Sequence, residues 1–164
     1  MKRLLLMSVL LFLACAGLQN AGAQQMVYVV RHGEKLDDSK DPVLSPTGEA
    51  RAARLAGLLA ASGVKTIYTT QYRRTILLAA PLARKLDITP NIMPAADTAA
   101  LVKKIKSHGP DDIVLVVGHS NTVPEILKAL GHAGEIKIEE TDFDNLFVLV
   151  PRTAGAPALV RLKY

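Results

Sequence analysis

Met26-Val27-Tyr28-Val29-Val30-Arg31-His32-Gly33 is the stretch whose reading decides the fold. Its first five residues are a nearly continuous apolar run rich in β-branched side chains, the pattern of a strand buried on both faces. The run delivers Arg31 and His32 at its carboxyl end. A second run of the same kind, Ile113-Val114-Leu115-Val116-Val117, ends on Gly118-His119-Ser120-Asn121.

Outward from these two runs, helical and extended patterns alternate. Ser45-Pro46 reads as an N-cap followed by proline at the first helical position, and helical periodicity over 50–59 stops at Ser62-Gly63. Residues 66–69 regain strand character. Helices are predicted over 73–86 and 98–108, with a short strand at 91–93 between them, and a fourth helix opens at Thr122 with Pro124 tolerated in its first turn. Residues 136–138, 146–150 and 159–162 read as strands with no helix between them, a meander at the sheet edge. Strands alternating with helices imply a three-layer α/β/α sandwich around a mainly parallel sheet with helices on both faces. Ligand sites in such sheets lie beyond the carboxyl ends of the strands, so two distant histidines, 32 and 119, are expected in one crevice.

The start of the chain reads as a secretory signal peptide over 1–23. Lys2 and Arg3 precede an apolar run to about residue 18, and Ala21-Gly22-Ala23 offers small residues for cleavage. A permanent span needs about 20 apolar residues, and this run gives way to Gln19 and Asn20. The expectation is an exported product, periplasmic or secreted, with one domain over 24–164 and no stable membrane span. Lipid anchoring at Cys15 is the alternative, although Phe12 stands where an aliphatic residue is usual.

Composition excludes several classes of chemistry. Cys15 is the only cysteine, so the processed chain holds no disulfide and no thiol nucleophile. The four histidines, at 32, 108, 119 and 132, show no zinc-ligand spacing, and neither a metal nor a cofactor is expected. The net charge of +5 includes Lys2 and Arg3, there is no tryptophan, and the tyrosines and phenylalanines are scattered, so no nucleic-acid partner is expected. Oligomeric state is left open.

Arg31-His32-Gly33-Glu34 after the first strand, Thr69-Thr70 with Arg73-Arg74 after the second, and Gly118-His119-Ser120 after a later one form an ordered set. Together with Leu44-Ser45-Pro46-Thr47-Gly48, this set resembles the histidine phosphatase, or phosphoglycerate mutase-like, superfamily. The resemblance covers most of residues 24–164, with one departure at Leu77-Leu78-Ala79, where relatives usually carry a threonine before the alanine. It implies that His32 is the nucleophile and that Arg31, Arg74 and His119 bind the phosphoryl group. The family pattern sets the clamp arginine five residues after the first of the paired Ser/Thr positions, which from Thr69 implies Arg74, with Arg73 a surface helix charge. A neutral imidazole is a competent nucleophile near neutral pH, and positioned cations match the charge that spreads over a transferring phosphoryl group.

The leaving oxygen also needs a proton. The resemblance implies Asp97 as the first candidate, since many relatives carry their acid after the third strand, with capping of the third helix as its competing role; Glu34 is the alternative. Asn121 is a candidate substrate contact. Lys35, Asp37, Asp38 and Asp41 read as a solvated loop, His108 and His132 as surface residues, and Glu139, Glu140, Asp142 and Asp144 as decoration of an edge strand and turn. The expected function is hydrolysis of a phosphomonoester, small molecule or phosphoprotein, through a phosphohistidine on His32. The alternatives are a non-catalytic phospho-ligand-binding protein of the same fold and a phosphomutase.

Overall fold

The computed structural model describes residues 25–152 and 154–164. The expected leader and Cys15 lie outside the described residues. Six strands form one sheet in the order β3-β2-β4-β1-β5-β6. β1 (Val27–Arg31), β2 (Val64–Thr70), β3 (Asn91–Met93) and β4 (Ile113–Gly118) run parallel, whereas β5 (Asn145–Val150) and β6 (Ala158–Lys163) are antiparallel additions. In the central pair, Val30 lies opposite Val117 and Arg31 opposite Gly118, so the two signature motifs leave the sheet side by side.

The helices are α1 (Pro46–Leu59), α2 (Arg73–Leu86), α3 (Thr98–Lys106) and α4 (Thr122–Ala129). The period-two alternation of the strands explains why both sheet faces are covered. On one face Leu55 and Leu59 of α1 and Leu78 and Leu82 of α2 pack with Val30, Ile67, Leu115 and Val117. On the other, Leu101 and Ile105 of α3 and Val123, Ile126 and Leu127 of α4 pack with Val29, Val114 and Val116. The three-layer α/β/α architecture expected from the alternating pattern is thus formed.

Local chemistry fixes where the helices start and stop. Ser45 Oγ accepts the Gly48 amide at 3.2 Å, and Pro46 occupies the first turn of α1. Gly48 is required by contact: a Cβ there would stand 2.5 Å from the Glu34 carbonyl oxygen, so α1 lies directly against the chain leaving β1. α2 ends where Asp87 turns left-handed (φ 54°), with the Ile88 amide returning to the Ala83 carbonyl at 2.9 Å. Pro124 stands in the first turn of α4, as expected.

Three sequence expectations are corrected. α3 stops at Lys106, where Ser107 Oγ turns back onto the Lys104 carbonyl at 2.7 Å. Residues 136–138 form no strand: β5 occupies the free side of β1 and β6 covers β5, so Ile136-Lys137-Ile138 has no ladder to join. Its isoleucines pack instead as loop residues on the α3/α4 side of the core. Consequently the acidic residues 139–144 decorate no edge strand; they precede β5, a strand second from the edge, and their backbone meets Arg31. No helix among the described residues is long and apolar enough to cross a membrane.

Candidate active site

A cavity of about 500 Å³ opens beyond the carboxyl ends of β1, β2 and β4, and Arg31, His32, Arg74, His119, Asn121 and Glu140 are among its walls. His32 follows β1 directly, and its amide continues the β1–β4 ladder by donating to the Gly118 carbonyl at 2.9 Å. Its ring is 5 % exposed and lies edge-on to that of His119, with centroids 5.3 Å apart. Two residues far apart in the chain therefore meet because their strands are neighbours.

Hydrogen bonds assign the ring protons. His32 Nδ1 stands 2.8 Å from the Gly33 carbonyl, which can only accept, so Nδ1 carries the hydrogen and Nε2 carries the lone pair. Burial, with Arg74 and Arg31 nearby, lowers the His32 pKa to about 4, and the ring is neutral at pH 7. In His119, Nδ1 lies 3.4 Å from an Arg74 nitrogen that can only donate, so Nε2 carries the hydrogen and points it at Thr70 Oγ1, 3.1 Å away. Thr70 passes its own hydrogen to Thr75 Oγ1 at 2.9 Å, and Thr75 donates to the Tyr72 carbonyl at 2.8 Å. Burial and the neighbouring His32 lower the His119 pKa to about 3.

The two arginines are held differently. Arg31 is 4 % exposed; its Nη1 donates to the carbonyls of Glu139 and Glu140 at 2.8 and 3.0 Å, and its Nη2 to Glu140 Oε2 at 3.1 Å. The Phe143 ring lies 4.2 Å from the guanidinium carbon. Burial pulls the Arg31 pKa below the ordinary arginine value, opposed by Glu140. Arg74 stacks on Tyr72 at 4.4 Å and sits 4.0 Å from Asp41 Oδ1. Among the described residues, Nε of both arginines is buried without a partner. Leaving two donors unmade costs about 1–3 kcal/mol each, and an anion with several oxygens in this cavity would satisfy them. Arg73 is exposed and lies outside the wall, whereas Arg74 lines it.

Of the sequence-derived candidates, His32, Arg31, Arg74, His119 and Asn121 share the cavity, and Glu34 and Asp97 do not line it. Glu34 is engaged by both nitrogens of one side of Arg51, Nε to Oε2 at 2.9 Å and Nη2 to Oε1 at 2.6 Å, which holds its carboxyl below the usual glutamate range. Asp97 is exposed and accepts the Ala100 amide at 2.9 Å as the α3 N-cap. Sequence reading missed Glu140, the cavity's one carboxylate among the described residues, and Phe143 beneath Arg31. An aromatic set within Glu139-Glu140-Thr141-Asp142-Phe143-Asp144 was the available signal. Among the described residues no cluster of three or more His, Cys, Asp or Glu is placed to hold a metal.

The model of the histidine phosphatase superfamily (branch 1) matches residues 27–98, the segment that carries Arg31, His32 and Arg74. Over that segment the chain is of the histidine phosphatase superfamily. Solved structures agree on the fold. The protein histidine phosphatase SixA, solved with tungstate, superposes at a TM-score of 0.67 with 15% identity, covering 85% of this chain and 97% of SixA. A mycobacterial glucosyl-3-phosphoglycerate phosphatase gives 0.64 at 13% identity, over 85% and 98%. Phosphoserine phosphatase of Entamoeba histolytica, solved with 3-phosphoglyceric acid, gives 0.60 at 15% identity, over 85% and 97%. Comparison with curated protein sequences gives no match.

Proposed function

We propose that this histidine phosphatase superfamily member hydrolyses a phosphomonoester, or a phosphoprotein, through a phosphohistidine on His32 and without a metal. The observation that carries the reading is the state of His32: a buried neutral ring with Nδ1–H tied to Gly33 and Nε2 unprotonated, in a cavity wall shared with two partnerless guanidinium nitrogens. Nε2 attacks phosphorus, the ester P–O bond breaks, and water then attacks the phosphoenzyme to release phosphate and restore the ring. Arg31 and Arg74 offer their Nε–H groups to the charge on the equatorial oxygens. His119 adds polarity without adding a positive charge, since it stays neutral near pH 7.

SixA, by its description a protein histidine phosphatase, makes a phosphorylated protein a substrate class to test beside small sugar and glycerate phosphates. On the reading of residues 1–23 as a leader, the reaction takes place in the periplasm or outside the cell.

The test is mass spectrometry of protein quenched during turnover of a chromogenic phosphomonoester in chelator, wild type against His32→Ala. We expect one phosphate adduct on His32, and loss of turnover by at least about 10³-fold in the variant. Turnover that survives His32→Ala would overturn the mechanism. Saturable binding of phosphate without adduct or turnover would make the chain a phospho-ligand-binding protein.

A further inference from the structure

We propose that Glu140 is the acid–base residue of this site, giving the leaving oxygen its proton and later taking one from the attacking water. The assignment rests on the phosphatase reading above and deepens it. Glu140 is the one carboxylate in the cavity wall among the described residues. The other acids near the motifs are committed elsewhere: Glu34 to Arg51, Asp97 to the α3 cap, and Asp41 to the Arg73 amide, which it accepts at 2.9 Å.

Two features place Glu140 where a proton is needed. Its main-chain carbonyl, with that of Glu139, is bound to Nη1 of Arg31, the residue next to the nucleophile in sequence. The Phe143 ring, three residues on, stacks against the same guanidinium and lies 6.0 Å from the His32 ring. The segment is therefore seated by its backbone and by Phe143, and it keeps its place when the Glu140 side chain lets go of Arg31 Nη2. That side chain is 86% exposed, so it exchanges protons with bulk water between turnovers.

The donors of Arg31 set the sequence of events. Nη1 is occupied by main-chain carbonyls, Nη2 by Glu140 Oε2, and Nε by nothing. A phosphoryl group can make a bidentate contact only along the Nε–Nη2 edge, and there it displaces the Glu140 carboxylate from Nη2. The displaced carboxylate is then parted from its cation and open to bulk water, from which it takes the proton it delivers. Substrate arrival thus arms the acid. In the first step the Nε2–P bond forms as the P–O bond breaks, and the Glu140 proton moves to the leaving oxygen. In the second, the Glu140 carboxylate takes a proton from water as its oxygen bonds to phosphorus and the P–Nε2 bond breaks; that proton passes to bulk water as phosphate leaves and the carboxylate returns to Arg31 Nη2.

Glu140→Gln separates this role from mere contact. Wild type and variant are compared by rapid quench with 4-nitrophenyl phosphate, whose leaving group departs unaided, and with an alkyl phosphate, whose leaving group does not. We expect phosphorylation of His32 by the alkyl ester to fall by about 10²-fold or more in the variant. The nitrophenolate burst should persist while steady-state turnover drops and phospho-His32 accumulates. Glu140→Asp, which keeps a carboxyl group, should recover part of the alkyl activity. An equal loss with both esters, no loss with either, or a gain with both would overturn the assignment, the last outcome marking Glu140 as an internal competitor for Arg31. Failure of wild type to form the His32 adduct would instead overturn the phosphatase reading, and this assignment with it.

Discussion

In the parallel half of the sheet, side chains reach the cavity because β1, β2 and β4 end there; in residues 139–144 it is chiefly the main chain that arrives, through carbonyls bound to Arg31. The first arrangement depends on residue type, and a change at His32, Arg74 or His119 alters it directly. The second depends on path, and almost any residue at 139 or 140 supplies the same carbonyl. Arg31 belongs to both regions at once. It is a cation of the cavity and the pin that seats the segment before β5.

The difference between the two arginines is the place to break this comparison. Arg31→Ala should lower kcat/KM by at least about 10²-fold and also destabilise the fold by about 2–3 kcal/mol, because charge-assisted bonds to two main-chain carbonyls disappear. Arg74→Ala should match the catalytic loss with little change in unfolding free energy, since its contacts are the stack on Tyr72, a 3.4 Å bond to His119 and a 4.0 Å approach to Asp41, with no main-chain carbonyl among them. Urea unfolding of both variants checks this. Equal stability losses would mean that the segment is not pinned by Arg31.

The next largest effect lies in the pH dependence of stability. Both buried histidines have folded-state pKa values lowered to about 4 and about 3, below the ordinary value of 6.5. Between those values and 6.5 the unfolded chain binds more protons than the folded one, so stability is full above about pH 6.5 and is lost as pH falls toward 4. The loss should be on the order of 3 kcal/mol for each histidine over that window, read as the free energy of urea unfolding. Replacing both histidines by asparagine should remove most of the slope. A slope left intact would place the titrating groups outside the parallel half.

Asp97→Ala is expected to have the smallest effect, about 1 kcal/mol of stability from the lost α3 cap, with kcat/KM unchanged. A large catalytic loss there would return Asp97 to the reaction and remove the case for Glu140.

The parallel half was legible because its physics is written in side-chain type. Apolar β-branched runs marked β1 and β4, Ser45-Pro46 marked α1, and the polar residues just past the runs marked the cavity. Glu34 was weighed as an acid because its distance from His32 in sequence is small; the Arg51 that engages it is on α1, and no local pattern couples them. Ile136-Lys137-Ile138 has the alternation of a strand but lacks a free ladder, and ladder availability is a property of the whole sheet. Glu140 was read as edge decoration for a related reason. Carbonyl acceptors are common to every residue, so the sequence carries no mark of the path that brings 139–144 to Arg31.

The His32 amide that donates to the Gly118 carbonyl has a consequence for how the site comes into being. The nucleophile is itself a rung of the central strand pair, so it reaches its place only when residues 32 and 118 have closed a long loop of chain. Phosphate affinity should therefore appear late in folding, with the sheet and not before it. Exchange of this amide hydrogen with solvent has no local route that spares the ladder; it reports the opening of the sheet as a whole.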